Sequence, residues 1–461
     1  MNGVTDGAAD GDRATEVAAG LTARGVTAVA LAWVDNAGIT RVKTVPTARL
    51  AHAIRWGVGM SPVFDVFCVD DSITTSRHIG GPVGDLRLYP DLDALRVLDA
   101  QPGWAIAPAD RLTQDGDAHP ACQRSFARRM VERAGADGLT FRMAFEFEWF
   151  VGAHNGVHDA GDNEPIPACT GPAYGMTRVV ELADYARDVL AALAAEGVAV
   201  DQFHPEYAPG QLELSIAATD PVTAADRVVL VRETIRAVSA RHGLRASFAP
   251  MVSAGGVGNG QHLHVSAWEN GTNLFAGGEG PHGLTGRGES LLAGVLAHLP
   301  ALCAISAPSV PSYLRLVPQH WAGPFQCWGL ENREAALRLI TGTAGSRASA
   351  ANAELKCVDG SANPYLVVGA VAALAHTTVA KGLRLPAEVT VDPAELPDAT
   401  RPARLPRSVT EATEALAHDD VLGAALGEPL LGAFLAVRAA EAELFAPSSP
   451  EGIVAATRWK Y

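Results

Sequence analysis

Phe145-Glu146-Phe147-Glu148-Trp149 closes a run that begins at Leu139. Strand periodicity puts Arg142, Ala144, Glu146, Glu148 and Phe150 on one face and Phe141, Met143, Phe145, Phe147 and Trp149 on the other. The second face is apolar throughout and asks for a core behind it, whereas the first projects two carboxylates side by side. Like charges this close repel and are costly to desolvate, so the pair calls for a cation or a shared proton. The same alternation also suits a surface strand with a solvated polar face. The rest of the chain has to decide between them.

Outward from that strand, 461 residues with 48% hydrophobic and 19% charged content exceed a single ordinary domain. The formal charge, 36 minus 51, is -15. That balance argues against a nucleic-acid surface and leaves room for metal ions or cationic substrates. Six scattered cysteines form no C-x-x-C pair, which indicates neither a zinc knuckle nor a disulfide framework and fits a reducing cytoplasm. No apolar run reaches about 18 residues, so neither a signal peptide nor a membrane span is expected.

Residues 1–13 are small and acidic and read as a tail. Residues 14–112 read as an α+β domain: a helix from Ala14 to Arg24, strands at Thr27–Val34 and Ile39–Val45 joined by the turn Asp35-Asn36-Ala37-Gly38, a helix from Pro46 to Trp56, and short strands near Gly84–Leu88, Ala94–Leu98 and Gly103–Ala107. Thr113–Pro120 is the linker candidate. From 118 to 461 strands and helices alternate, with helices expected at Gln123–Ala134, Thr177–Glu196, Pro221–His242 and Leu291–Ser306, and from Pro364 and Ser408 onward. Strands are expected around Glu206 and Glu213, at Arg245–Phe248, His262–Trp268 and Glu334–Ile340, with a hairpin turn at Glu269-Asn270-Gly271.

Four further stretches place polar groups where a plain core has none. Glu206 and Glu213 flank the turn Pro209-Gly210 and can point back to one place; a Gly-rich turn at Gly258-Asn259-Gly260 leads into a strand with His262, His264 and Ser266 on one face. Arg315, Arg333 and Arg338 form a third group, and Glu354 precedes Lys356 and Asn363-Pro364-Tyr365. Singly, each is weak, since an H-x-H on a strand is more often a solvated face and a lone arginine a surface charge. Together, five carboxylates and a histidine suit two hard divalent cations, Mg²⁺ or Mn²⁺ rather than zinc. Arginines beside them suit phosphate and carboxylate, a combination that points to phosphoryl transfer from a nucleotide.

With these residues in view, the chain resembles the glutamine synthetase family along nearly its whole length, through Asp35–Pro46, Asp85–Asp91, Phe145–Trp149, His204–Glu213, Gly258–Ser266, Asn273–Phe275, Tyr313–Pro318, Asn332–Arg338 and Glu354–Tyr365. The resemblance implies a β-grasp domain followed by a catalytic domain whose antiparallel strands form an open funnel. It implies Glu148, Glu206 and Glu213 as ligands of one metal, and Glu146, His262 and Glu354 of a second. It also implies His264, Ser266, Arg333 and Arg338 on the nucleotide side, Gly258, Arg315 and Lys356 around glutamate, and Arg315 and Arg333 as the catalytic arginines. ATP would convert the γ-carboxylate of L-glutamate to an acyl phosphate that an amine then attacks. A ring-based homo-oligomer of two stacked hexamers, a dodecamer, is implied as well, with the loop at residues 57–64 reaching the neighbouring subunit's site.

Departures from the family pattern concern the amine. Ammonia-using members carry an aspartate where this chain has Ser61 and a glutamate where it has Trp321, while Tyr174 keeps the family's tyrosine. Lys356 replaces an arginine and Val257 an asparagine, and Pro397–Pro406 offers no counterpart to the regulatory tyrosine of some bacterial members. The loop Gly59-Met60-Ser61-Pro62 looks most like that of the γ-glutamylpolyamine synthetases, so a polyamine acceptor is expected, with Asp65 and Glu206 as candidate contacts for its ammonium groups. Glutamine synthesis from ammonia and a non-catalytic relative remain the alternatives, although all six metal positions are filled here.

Overall fold

The computed structural model describes residues 9–153 and 164–461. Its N-terminal sheet contains β1 (Ala28–Val34), β2 (Thr40–Pro46), β3 (Val58–Met60), β4 (Leu86–Pro90), β5 (Arg96–Val97) and β6 (Trp104–Leu112), in the order β2-β1-β6-β4-β3 with β5 beside β6. Strand β1 runs antiparallel to β2 and parallel to β6, the crossover expected of a β-grasp. Alternation decides its two faces. Val29, Leu31 and Trp33 pack with Leu21, Leu50 and Leu88 under the helices Ala9–Ala23 and Leu50–Trp56, while Ala30, Ala32 and Val34 join the core of the rest of the chain. Both faces of β1 are therefore buried, which explains its near-continuous apolar sequence.

The turn after β1 is held by the catalytic half. Asn363 caps the helix Pro364–Thr378 and donates Nδ2 to the carbonyl of Val34 at 3.0 Å, and Arg438 Nη2 donates to the carbonyl of Asn36 at 2.9 Å. Gly38, at φ +80°, backs so closely onto the Ser361 carbonyl that a Cβ would overlap it.

The second sheet has β7 (Leu139–Ala153) at its centre. The other strands are β8 (Val200–Pro205), β9 (Gln211–Ile216), β10 (Leu244–Ser247), β11 (Leu263–Glu269), β12 (Thr272–Asn273), β13 (Phe325–Leu330), β14 (Ala335–Ile340) and β15 (Asn352–Leu355). They are ordered β13-β14-β15-β11-β7-β9-β8, with β10 beside β7 and β12 beside β11. Phe141, Met143, Phe145, Phe147 and Trp149 are all buried against the helices Gln123–Ala136 and Pro221–Arg241. Burying such side chains contributes about 1.5–3 kcal/mol each. This outweighs any alternative register and forces Glu146 and Glu148 to the opposite face.

Several expectations need correction. The first helix begins at Ala9, so residues 9–13 continue it rather than form a tail; residues 1–8 lie outside the described ones. The helix expected over Thr177–Glu196 breaks at Leu182 into Met176–Glu181 and Ala183–Ala195. That over Leu291–Ser306 is two helices, Gly286–Ala297 and Leu299–Ser306, bent by 71° at His298, where Pro300 starts the second. Strand β13 has no counterpart among the expected elements, and it runs parallel to β14, so the sheet is mixed rather than wholly antiparallel. Among the described residues, no single helix is long and apolar enough to cross a membrane.

Candidate active site

Backbone register brings the carboxylates together. Glu148 stands opposite Glu213 across the β7/β9 ladder, and His204 opposite Glu213 across β8/β9. On the other side of β7, the β11/β15 ladder sets His264 opposite Glu354, and the Glu146 N–H donates to the His262 carbonyl at 2.9 Å. Gly210, at φ +72°, makes the turn between Glu206 and Glu213. Three sets of side chains thereby offer ligand atoms within 4.8 Å of one another: Glu146 with His262 and Glu354, Glu146 with Glu148 and Glu213, and Glu206 with Glu213 and His204.

The first of these is the second metal set implied by the resemblance, complete. The other implied set, Glu148, Glu206 and Glu213, is divided between two overlapping groups that share Glu213, and His204 joins it unannounced. The His204 Nε2 lies 3.0 Å from Glu213 Oε1. Its position was legible: i and i+2 spacing along an extended chain puts His204 on the same face as Glu206.

These residues fit a divalent cation by their chemistry. His262 Nδ1 is fully buried without a hydrogen-bond partner, and points between Glu354 Oε1 at 3.2 Å and Glu146 Oε1 at 3.7 Å. The charge distribution agrees. Burial pushes the Glu213 carboxyl up, and the neighbouring carboxylates of Glu146 and Glu148 push it further. Burial also raises Glu148. For Glu146, burial is outweighed by the neighbouring His262 and by the hydrogen bond with His264, and for Glu354 by Lys356 and His262, so both are held well below the usual carboxylate range. Crowded carboxylates of this kind are stabilised by hard cations.

A cavity of about 450 Å³ opens in front of this cluster. Glu146, Glu148, Glu206, Glu213, His262, Gly258, Arg315, Arg333, Lys356, Tyr174 and Trp321 all line it. Arg315 is 5% exposed, its Nη2 lies 2.9 Å from His262 Nε2, and its Nη1 has no partner. A Cβ at Gly260 would stand 2.8 Å from that Nη2 and 2.9 Å from Glu148 Oε1, so the backbone there fits closely under both charges. Lys356 Nζ donates to Glu354 Oε1 at 3.0 Å, and Arg338 Nη1 to Glu354 Oε2 at 2.9 Å. Gln211, which sequence reasoning passed over, donates Nε2 to the Gly258 carbonyl at 3.0 Å and to Asn259 Oδ1 at 3.0 Å, fastening the Gly-rich turn to β9.

Other expected residues sit farther out. His264 Nε2 is 3.1 Å from Glu146 Oε2 and is one layer removed from the cavity; Ser266 accepts the indole N–H of Trp268 at 2.8 Å and is buried. Ser61 does not line the cavity of its own chain and instead caps the turn Pro62–Val66 through the Val63 N–H. Asp65 cannot meet an amine: it is fully buried and paired with Arg111 at 2.5 Å. At the mouth, Tyr174 donates its hydroxyl to Glu206 Oε2 at 2.7 Å, and this hydrogen bond, after burial, pushes the phenol up. Trp321 is 58% exposed, with its backbone N–H donated to Glu334 Oε1 at 2.6 Å, whereas Phe325 is buried in a separate small core. The indole therefore faces the opening rather than packing on Phe325.

Comparison with known proteins matches residues 12–117 to the glutamine synthetase N-terminal domain and residues 120–451 to the glutamine synthetase catalytic domain. The chain belongs to the glutamine synthetase family. Glutamine synthetases use ATP and divalent cations, in keeping with the buried carboxylate and histidine cluster. A relative from Streptomyces coelicolor, gamma-glutamylpolyamine synthetase GlnA3, is 57% identical over 98% of this chain and 97% of its own. The glutamine synthetase of Clostridium saccharobutylicum is 27% identical over 83% of this chain and 86% of its own. Among solved structures, one described as a novel glutamine synthase homolog has a TM-score of 0.84 at 33% identity, covering 95% of this chain and 99% of that one.

Proposed function

We propose that this glutamine synthetase family ligase joins the γ-carboxylate of L-glutamate to an alkyl amine, with polyamines as the preferred acceptors. The observation that carries the choice is the cavity mouth. The exposed indole of Trp321 stands there with Tyr174 and Tyr207 beside carboxylates, which suits a cationic alkyl chain better than a bare ammonium ion. The identity with a relative named as a polyamine enzyme supports the same reading.

The reaction has two steps. The γ-carboxylate attacks the γ-phosphorus of ATP and ADP leaves; the amine nitrogen then attacks the acyl carbon, phosphate leaves and the nitrogen loses a proton. Arg315 and Lys356 hold the glutamate carboxylates while the Gly258 backbone closes beneath them. Arg333 stabilises the charge on the transferred phosphoryl group, and Arg338, braced by Glu354, faces the nucleotide. Glu206, hydrogen-bonded by the Tyr174 hydroxyl at the mouth, presents negative charge to the incoming ammonium. Two Mg²⁺ or Mn²⁺ ions would be held by Glu146, His262 and Glu354 and by Glu148, Glu206 and Glu213 with His204 at hand, and they supply charge neutralisation for phosphoryl transfer. Ser61 would serve a neighbouring subunit's site in a ring-built homo-oligomer, a dodecamer by family resemblance. Cytoplasmic location accords with the six free, buried cysteines.

The test is to incubate the enzyme with ATP, glutamate and each of ammonium, putrescine, spermidine and spermine, and to identify products by mass. γ-Glutamyl polyamines are expected. Glutamine as the main product would overturn the reading.

A further inference from the structure

Behind the Gly-rich turn lies a second cavity, of about 390 Å³, and it shares Tyr207, Gln211 and Val257 with the catalytic one. We infer that this second cavity holds the distal end of a long polyamine whose reacting amine lies in the catalytic cavity. The inference rests on the polyamine reading above and specifies where the chain length is sensed.

Three features of the cavity point to that occupant. Its walls are mostly carbon, from Phe150, Pro165, Pro167, Pro209, Val252 and Val257, which suits methylene segments. None of the described residues lining it is arginine, lysine or histidine, so nothing there would hold glutamate or a phosphate. The polar groups on its inner side are already paired: Gln211 bonds Asn259 and the Gly258 carbonyl, and Asn259 Nδ2 donates to the Ala249 carbonyl at 3.0 Å. The charge at its rim is negative, because the Ser253 hydroxyl on the wall donates to the carboxylate of Glu164. A chain that is apolar between spaced ammonium groups matches an apolar cavity with Glu164 at its rim, beside the catalytic cavity that Glu206 lines.

At the shared wall, Val257 is 36% exposed and Tyr207 is 63% exposed. Both offer apolar surface to a chain passing from one cavity to the other. A short diamine ends before that wall and a longer polyamine crosses it.

The experiment compares kcat/KM for putrescine and spermine in the wild type, in Ser253→Trp, which fills the cavity from its partly exposed side, and in Glu164→Gln, which removes the rim charge without changing its shape. Putrescine activity serves as the folding control. Spermine kcat/KM is expected to fall about tenfold or more in Ser253→Trp and severalfold in Glu164→Gln, with putrescine within about twofold of wild type. Parallel losses for both amines, or no change for either, overturn the subsite. Absence of polyamine turnover in the wild type overturns the proposed function, and the subsite with it.

Discussion

Glu213 stands opposite both Glu148 and His204, where burial and then the like charges around it raise its carboxyl, while Glu146 and Glu354 are held well below the usual carboxylate range beside His262. Removing Glu146 or Glu354 leaves His262 Nδ1 facing a ligand set too small for a hard cation. We predict that Glu146→Ala and Glu354→Ala each fold but lose about a hundredfold or more of kcat; wild-type turnover of either at saturating Mg²⁺ would refute the assignment. A second prediction concerns Glu196, far from this chemistry. It is 2% exposed, accepts the Asp99 N–H at 3.0 Å and the Thr234 hydroxyl, and burial pushes its carboxyl up to about 7. A folded pKa above the unfolded value means that the neutral carboxyl's contribution to stability is full below about pH 4.5 and is lost as pH rises through about 7. Glu196→Gln mimics the neutral form, so its melting temperature should match wild type near pH 5 and exceed it by a few degrees at pH 8. A variant less stable than wild type at pH 8 contradicts this. At this scale the sequence offered Glu146 and Glu148 by alternation, Glu206 and Glu213 by turn spacing, and His262 and Glu354 through the family motifs, all of whose side chains cluster in the structure. It hid the partners set by tertiary approach, such as Glu334 behind Trp321 and Arg111 against Asp65, which no local pattern encodes.

The turn between β8 and β9 carries Glu206 before it and Glu213 after it, and Gly210 permits its tightness. A Cβ at Gly210 would require a left-handed backbone and would sit 2.7 Å from the Val151 carbonyl and 2.8 Å from the Phe150 ring. Gly210→Ala should therefore destabilise the protein by about 1–2 kcal/mol from the backbone alone and lower kcat as the two carboxylates shift. An unchanged denaturation midpoint together with unchanged kcat would show that the turn does not position them. Elements with strong periodicity were legible, β7 above all. So was the hairpin at Asn270-Gly271, whose φ angles of +49° and +78° are those such a dipeptide favours. Strand β13 was not: Phe325–Leu330 is a short, mixed run whose pairing with β14 depends on a parallel neighbour, and the sequence carries no signal for that. The bend at His298 had a signal in Pro300, but the apolar residues continue through it and both halves are buried, so the run reads as one helix.

For the whole molecule, both domains were legible from the order of motifs, while the way they lock together was not. That lock depends on single side chains such as Asn363 and Arg438 reaching backbone carbonyls of the β1 turn. The family resemblance implies that the loop at residues 57–64 reaches a neighbouring subunit's site, and Ser61 lies outside its own chain's cavity, so activity is expected to require assembly. Light scattering should find the active enzyme at a multiple of 48.0 kDa, a dodecamer by family resemblance, and an active species at that mass itself would contradict this. The choice of amine defines what this enzyme does. It is tested most directly by supplying equal concentrations of ammonium and spermidine with limiting ATP and glutamate, and quantifying the two products by mass. γ-Glutamylspermidine is expected in about tenfold excess or more over glutamine; glutamine in excess would overturn the polyamine preference.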